Sequence, residues 1–117
     1  MERISEYKLK GDAVLITVNG YRGEDDFYAM YNLIREIVSP DHITFGVDSL
    51  CVDGSFRKGD ILVRISSESA YDFCCFLYDA ASLSEAQLAQ VHTWIEEVAA
   101  RLYASREPHF DIMDDEY

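Results

Sequence analysis

The stretch Ala13-Val14-Leu15-Ile16-Thr17-Val18-Asn19 constrains this chain more than any other. It is a near-continuous apolar, β-branched run, entered from Gly11-Asp12 and left at Gly20. A run of that length bounded by turn residues reads as a buried strand. Its lack of alternation predicts a central strand covered on both faces. The fold must therefore supply a sheet and something to lie against it. Residues 3–9 read as a strand that forms a hairpin with this run across the Gly11-Asp12 turn.

Two helices supply the cover. The spacing predicts a helix over residues 24–38, because Phe27, Met30, Tyr31, Ile34, Ile37 and Val38 fall on one stripe. Glu24, Asp25 and Asp26 occupy its first turn, where the helix dipole favours negative charge, and Ser39-Pro40 ends it. A second helix is expected from a Ser82 cap with Glu85 three residues later, running to about residue 105. Leu88, Val91, Trp94, Ile95, Val98, Ala99 and Leu102 form its apolar face, and Glu97 and Arg101 are spaced to pair.

Between the helices, residues 43–52 read as one strand, with Gly46 a bulge or kink within it. Asp53-Gly54 and Lys58-Gly59 both carry hairpin-turn chemistry, and the sequence does not choose between them. Ile61, Val63 and Ile65 alternate with Leu62, Arg64 and Ser66, as in a half-buried strand. The aromatic run 71–78 reads as a strand, with a short buried helix as the alternative. The expected fold class is α+β, in the order β-β-α-β-β-β-α. An antiparallel sheet of four to five strands has two amphipathic helices packed against it. The 117 residues make one domain over residues 1–106, followed by an acidic C-terminal tail, 107–117, expected to dock on it.

Charge sets the functional expectation. Twenty-two acids face ten bases, for a net charge of −12. Residues 1–64 carry net −3, and residues 65–117 carry net −9 with Arg101 and Arg106 as their only bases. A field of this sign repels nucleic acid and anionic membrane and attracts basic surfaces. Three cysteines, Cys51, Cys74 and Cys75, are an odd number with two adjacent. They read as reduced, mostly buried thiols in a cytoplasmic protein rather than as a disulfide framework. The N-terminus lacks the apolar core of a signal segment, and no apolar run is long enough to span a bilayer.

Motifs for chemistry fail in turn. Gly20-Tyr21-Arg22-Gly23 sits where phosphate loops sit, but it lacks the Lys-Ser/Thr pair and runs into three carboxylates. Asp48, Asp53 and Asp60 do not match calcium-loop spacing. His92 and Glu96 share a helix face without a third ligand. Cys74 and Cys75 lie in an apolar run, where a thiol stays protonated. Neither catalytic residues nor a cofactor or metal site are expected. Tyr21, Tyr28, Tyr103 and Tyr117 fall outside the core stripes and read equally as contact residues or as half-exposed surface.

The expectation is a small non-enzymatic binding protein that neutralises a basic protein, a nucleic-acid-binding enzyme being the natural target, by mimicking phosphate charge. Anti-restriction, anti-CRISPR and nuclease-immunity proteins act in this way. The partner-binding residues would be Glu107, Asp111, Asp114, Asp115 and Glu116, with Glu24, Asp25 and Asp26 a second patch. The alternative is an adaptor or a homo-oligomeric subunit that binds through an aromatic sheet face, its charge serving solubility alone.

Overall fold

A computed structural model of the chain describes residues 3–47, 51–68 and 73–108. The strands are β1 (Ile4–Lys8), β2 (Ala13–Asn19), β3 (His42–Val47), β4 (Cys51–Lys58), β5 (Ile61–Glu68) and β6 (Phe73–Asp79). Helix α1 (Gly23–Ile37) follows β2, and α2 (Glu85–Ser105) follows β6 through a short 3-10 turn, Ala80–Ser82. The six strands form one sheet in the order β1-β2-β6-β5-β4-β3. Every pairing is antiparallel. The α+β class holds, with six strands rather than four or five.

The extra strand comes from residues 43–52. They are not one strand, because β3 ends at Val47 and its antiparallel partner β4 begins at Cys51. The hairpin between β4 and β5 turns at Lys58-Gly59, where Gly59 takes the left-handed φ of +59°. Asp53-Gly54 lies inside β4, and Gly54 answers to a different need. A Cβ there would collide with the carbonyl of Thr44 on β3. The glycine permits a close approach of two strands rather than a reversal.

Successive residues of a strand point to opposite faces, and opposed residues share one. On the covered face lie Val14, Ile16 and Val18 of β2, Cys74, Phe76 and Tyr78 of β6, Ile61, Val63 and Ile65 of β5, and Val52 and Phe56 of β4, all buried. Phe27, Met30 and Ile34 of α1 and Val91, Trp94, Ile95, Val98 and Leu102 of α2 close over them. Each large side chain so buried contributes about 1.5–3 kcal/mol. The rings of Phe56 and Trp94 meet edge to face, 6.1 Å apart.

Among the described residues the other face carries no helix, which corrects the reading of β2 as covered on both sides. One rung of this open face runs Tyr7–Leu15–Leu77–Arg64–Ser55–Thr44 across all six strands. The next runs Ser5–Thr17–Cys75–Ser66–Asp53–Gly46. Antiparallel sheets tolerate one solvated face. Thr17 stays buried there because its hydroxyl donates to Asn19 Oδ1 (2.8 Å), and the Asn19 amide donates to Ser5 Oγ (2.9 Å).

Helix α2 starts later than its sequence suggests. Ser84, not Ser82, is its N-cap, in a reciprocal box with Gln87 (2.9 and 3.2 Å). Ser82 instead donates to the Asp79 carbonyl and closes the 3-10 turn. Arg101 reaches across to Glu36 of α1 (3.3 Å), so it joins the two helices. No described helix is long and apolar enough to cross a membrane.

Candidate functional site

The covered-face rung Ile4–Val18–Cys74–Ser67–Val52–Val47 marks one end of the sheet. β1 starts there, β2 and β5 finish, β6 and β4 start, and β3 finishes. The C-terminal end of α2 is fastened to the same end. Asp26, only 3 % exposed, receives Arg106 Nε at 2.9 Å through one oxygen and the Arg22 N–H at 2.9 Å through the other. The Tyr21 hydroxyl donates to the Arg106 carbonyl (2.7 Å), and the Tyr103 hydroxyl donates to the Asn19 carbonyl. The Gly23 N–H donates to Ser67 Oγ (2.8 Å). Tyr21 and Tyr103 meet edge to face at 5.0 Å, and the Arg3 guanidinium stands 4.9 Å over the Tyr103 ring.

This clasp explains two of the tyrosines left over from the helical stripes. Tyr21 is fully buried, and burial pushes its hydroxyl up to about 12. Tyr103 is half-buried and raised for the same reason. Tyr28 accompanies Tyr31 against Phe45 at the β3 edge. Tyr117 lies outside the described residues.

The clasp also divides the acids named from the sequence. Asp26 faces inward and is matched by Arg106, so its charge is not offered to solvent. Glu24 and Asp25, in the same first turn, are exposed, as is Glu107 just beyond α2. Asp111, Asp114, Asp115 and Glu116 lie outside the described residues, in the segment that continues from Pro108 at this end. Residues 1–2, 48–50 and 69–72 also join the described chain at this end, next to Arg3, Val47, Cys51, Glu68 and Phe73. Together the four segments hold seven of the twenty-two acids and none of the ten Lys and Arg residues. The signal in the sequence was charge alone. The sheet register is what brings the described residues that flank those segments to one end.

Two other constellations carry titratable groups. His92 Nε2 meets the Tyr78 hydroxyl at 2.8 Å and lies 3.6 Å from Glu6. Both partners approach the same ring nitrogen, whereas a nucleophile–base–orienter relay uses one nitrogen for each. Burial holds the Tyr78 hydroxyl up at about 12, so at neutral pH it serves as a hydrogen-bond partner of the imidazole. On the open face a shallow depression of about 400 Å³ is lined by Thr44, Cys51, Asp53, Ser55, Arg64 and Ser66. It mixes one acid, one base and hydroxyls, and Ser66 Oγ lies 2.9 Å from Cys75 Sγ. No group of three or more His, Cys, Asp or Glu side chains among the described residues is arranged to hold a metal ion. No protein-family model, curated protein or solved structure matches the chain.

Proposed function

We infer that the protein is a non-enzymatic binding domain that engages a basic surface of another protein through its acidic pole. The observation that carries this reading is topological. The described residues that flank four stretches of sequence, stretches with seven acids and no Lys or Arg between them, stand at one end of the sheet, where Glu24, Asp25 and Glu107 are exposed. Of the three described bases at that end, Arg106 pairs with Asp26 and Arg3 stands over Tyr103, while Arg22 lies in the turn before α1. A basic partner would be steered in by the long-range field and held by charge-assisted hydrogen bonds, as phosphates are held by nucleic-acid-binding enzymes.

The test is affinity capture with the full chain at 50 and 500 mM NaCl, beside a variant with Asp111→Asn, Asp114→Asn, Asp115→Asn and Glu116→Gln. The reading requires partners rich in Lys and Arg that are lost at high salt and lost to the neutralised variant. Partners retained under both conditions overturn it.

A second reading, an adaptor that binds through its sheet, rests on the open face. Tyr7, Leu9 and Leu62 are 52, 43 and 43 % exposed there. It predicts capture that is insensitive to salt and abolished by Leu62→Lys.

A further inference from the structure

The two edges of the sheet are built differently. β1 carries Glu6 and Lys8, with Arg3 before it and Lys10 after it. β3 reads His42-Ile43-Thr44-Phe45-Gly46-Val47, without Asp, Glu, Lys, Arg or Pro. An edge strand presents unpaired N–H and C=O groups, and natural sheets guard such edges with charge, proline or a covering element. β3 lacks the first two of these guards. It also exposes two large apolar side chains, Phe45 at 45 % and Val47 at 51 %. Phe45 is held in place, its ring 5.5 Å from Tyr28 and 5.0 Å from Tyr31. Ile43, Phe45 and Val47 oppose Phe56, Gly54 and Val52, so all three stand on the helix-covered side.

We propose that β3 pairs antiparallel with β3 of a second copy of this chain, with Phe45 opposite Phe45. A two-fold contact requires a strand complementary to itself. Opposed residues share a face, so only a register matching odd positions with odd keeps the apolar side chains together and the helices on one side. Centred on Phe45, that register sets Ile43 against Val47 of the other copy and Thr44 against Gly46. Branched aliphatics meet, rings meet, and Tyr28 and Tyr31 flank the seam. The result is a continuous sheet of twice six strands.

Charge favours a second copy over a foreign strand. An edge made for a basic partner has reason to carry acids, and this chain has them to spare. An edge made for a partner that itself carries −12 must be neutral, and β3 is neutral. Charge also selects the direction. β3 finishes at the end of the sheet where Glu24, Asp25 and Glu107 are exposed, so antiparallel pairing sends the two sets of acids to opposite ends of the seam. Six residues of strand span roughly 20 Å, more than twice the Debye length of about 8 Å at physiological salt.

The inference stands apart from the basic-partner reading, since it is read on the pure protein. Sedimentation equilibrium at up to 200 µM should give a mass twice the 13.4 kDa of the chain, with more dimer at higher salt. Phe45→Lys should weaken the dimer at least tenfold, while Tyr7→Lys on the opposite edge leaves it intact. Circular dichroism and urea midpoints check that both variants fold. Amide exchange in β3, and not in β1, should slow as concentration rises. Nitroxides on Thr44→Cys should lie closer together across the dimer than nitroxides on His42→Cys, in a chain with Cys51 and Cys75 replaced by Ser. A monomer at 200 µM overturns the proposal and leaves the edge to a strand of another protein. So does a dimer that survives Phe45→Lys, and equal nitroxide distances overturn the register.

Discussion

Asp26 shows how a single side chain can change meaning between sequence and structure. In sequence it is the third of three acids at a helix start, indistinguishable from Glu24 and Asp25. In the fold it is the hub that ties α1 to the end of α2, through Arg106 on one oxygen and the Arg22 N–H on the other. Removing one partner of a buried charged pair leaves the other without compensation. Arg106 is 41 % exposed and can turn to water, which lowers the cost. Asp26→Ala should therefore lower unfolding stability by about 2 kcal/mol, against a few tenths for Asp25→Ala, as read from urea denaturation. Equal effects would reduce the clasp to a surface contact.

Burial pushes the Cys74 thiol from its ordinary 9.0 up to about 12, and it pushes the Tyr21 and Tyr78 hydroxyls from 10.0 up to about 12. Above pH 9 the unfolded chain releases the thiol proton while the folded one keeps it, and above pH 10 the same holds for the two tyrosines. Stability from these groups is complete below pH 9 and is lost as pH rises towards 12. Urea midpoints should fall from pH 9 upward, and Cys74→Ala should flatten the first part of that fall, between pH 9 and 10. An identical slope in the variant would place the earliest titration elsewhere.

Among the elements, the start of α2 is where a motif misled and geometry decided. Ser82 with Glu85 reads as the capping box in the sequence, and the structure uses Ser84 with Gln87, at the same spacing. The 3-10 turn consumes Ser82, because the Asp79 side chain accepts from the Ala81 N–H and Ser82 donates back to the Asp79 carbonyl. Ser84→Ala should cost about 1 kcal/mol, while Ser82→Ala costs much less, a comparison that thermal melts can make directly. The strands divide in the same way. β2 and the alternating start of β5 were legible because hydrophobic period alone defines them. The break between β3 and β4 was not, because Gly46 looks like a kink in one strand and Asp53-Gly54 looks like a turn. Gly54 reveals its purpose only against the Thr44 carbonyl, a contact between strands.

At the scale of the whole molecule, the sequence reveals how much charge there is and along which stretch, and the register reveals which described residues share an end. Net −9 after residue 65 is a one-dimensional statement. The strand order adds that Arg3, Val47, Cys51, Glu68 and Phe73, which flank acid-bearing stretches of the sequence, share one end of the sheet. The inward turn of Asp26 and the edge position of β3 were equally invisible, since both depend on pairing partners far away in sequence. If the acids do gather, they repel one another in the folded state more than in the unfolded chain, and salt should relieve that strain. Raising NaCl from 0.05 to 0.5 M shortens the Debye length from roughly 14 to roughly 4 Å, so the urea midpoint should rise. A variant with Asp111, Asp114 and Asp115 changed to Asn and Glu116 to Gln removes four charges from the pole. Its midpoint should be higher at low salt and should rise less with NaCl. If both proteins respond to salt alike, the four carboxylates stand too far from Glu24, Asp25 and Glu107 to share a field with them, and the pole is smaller than the strand order implies.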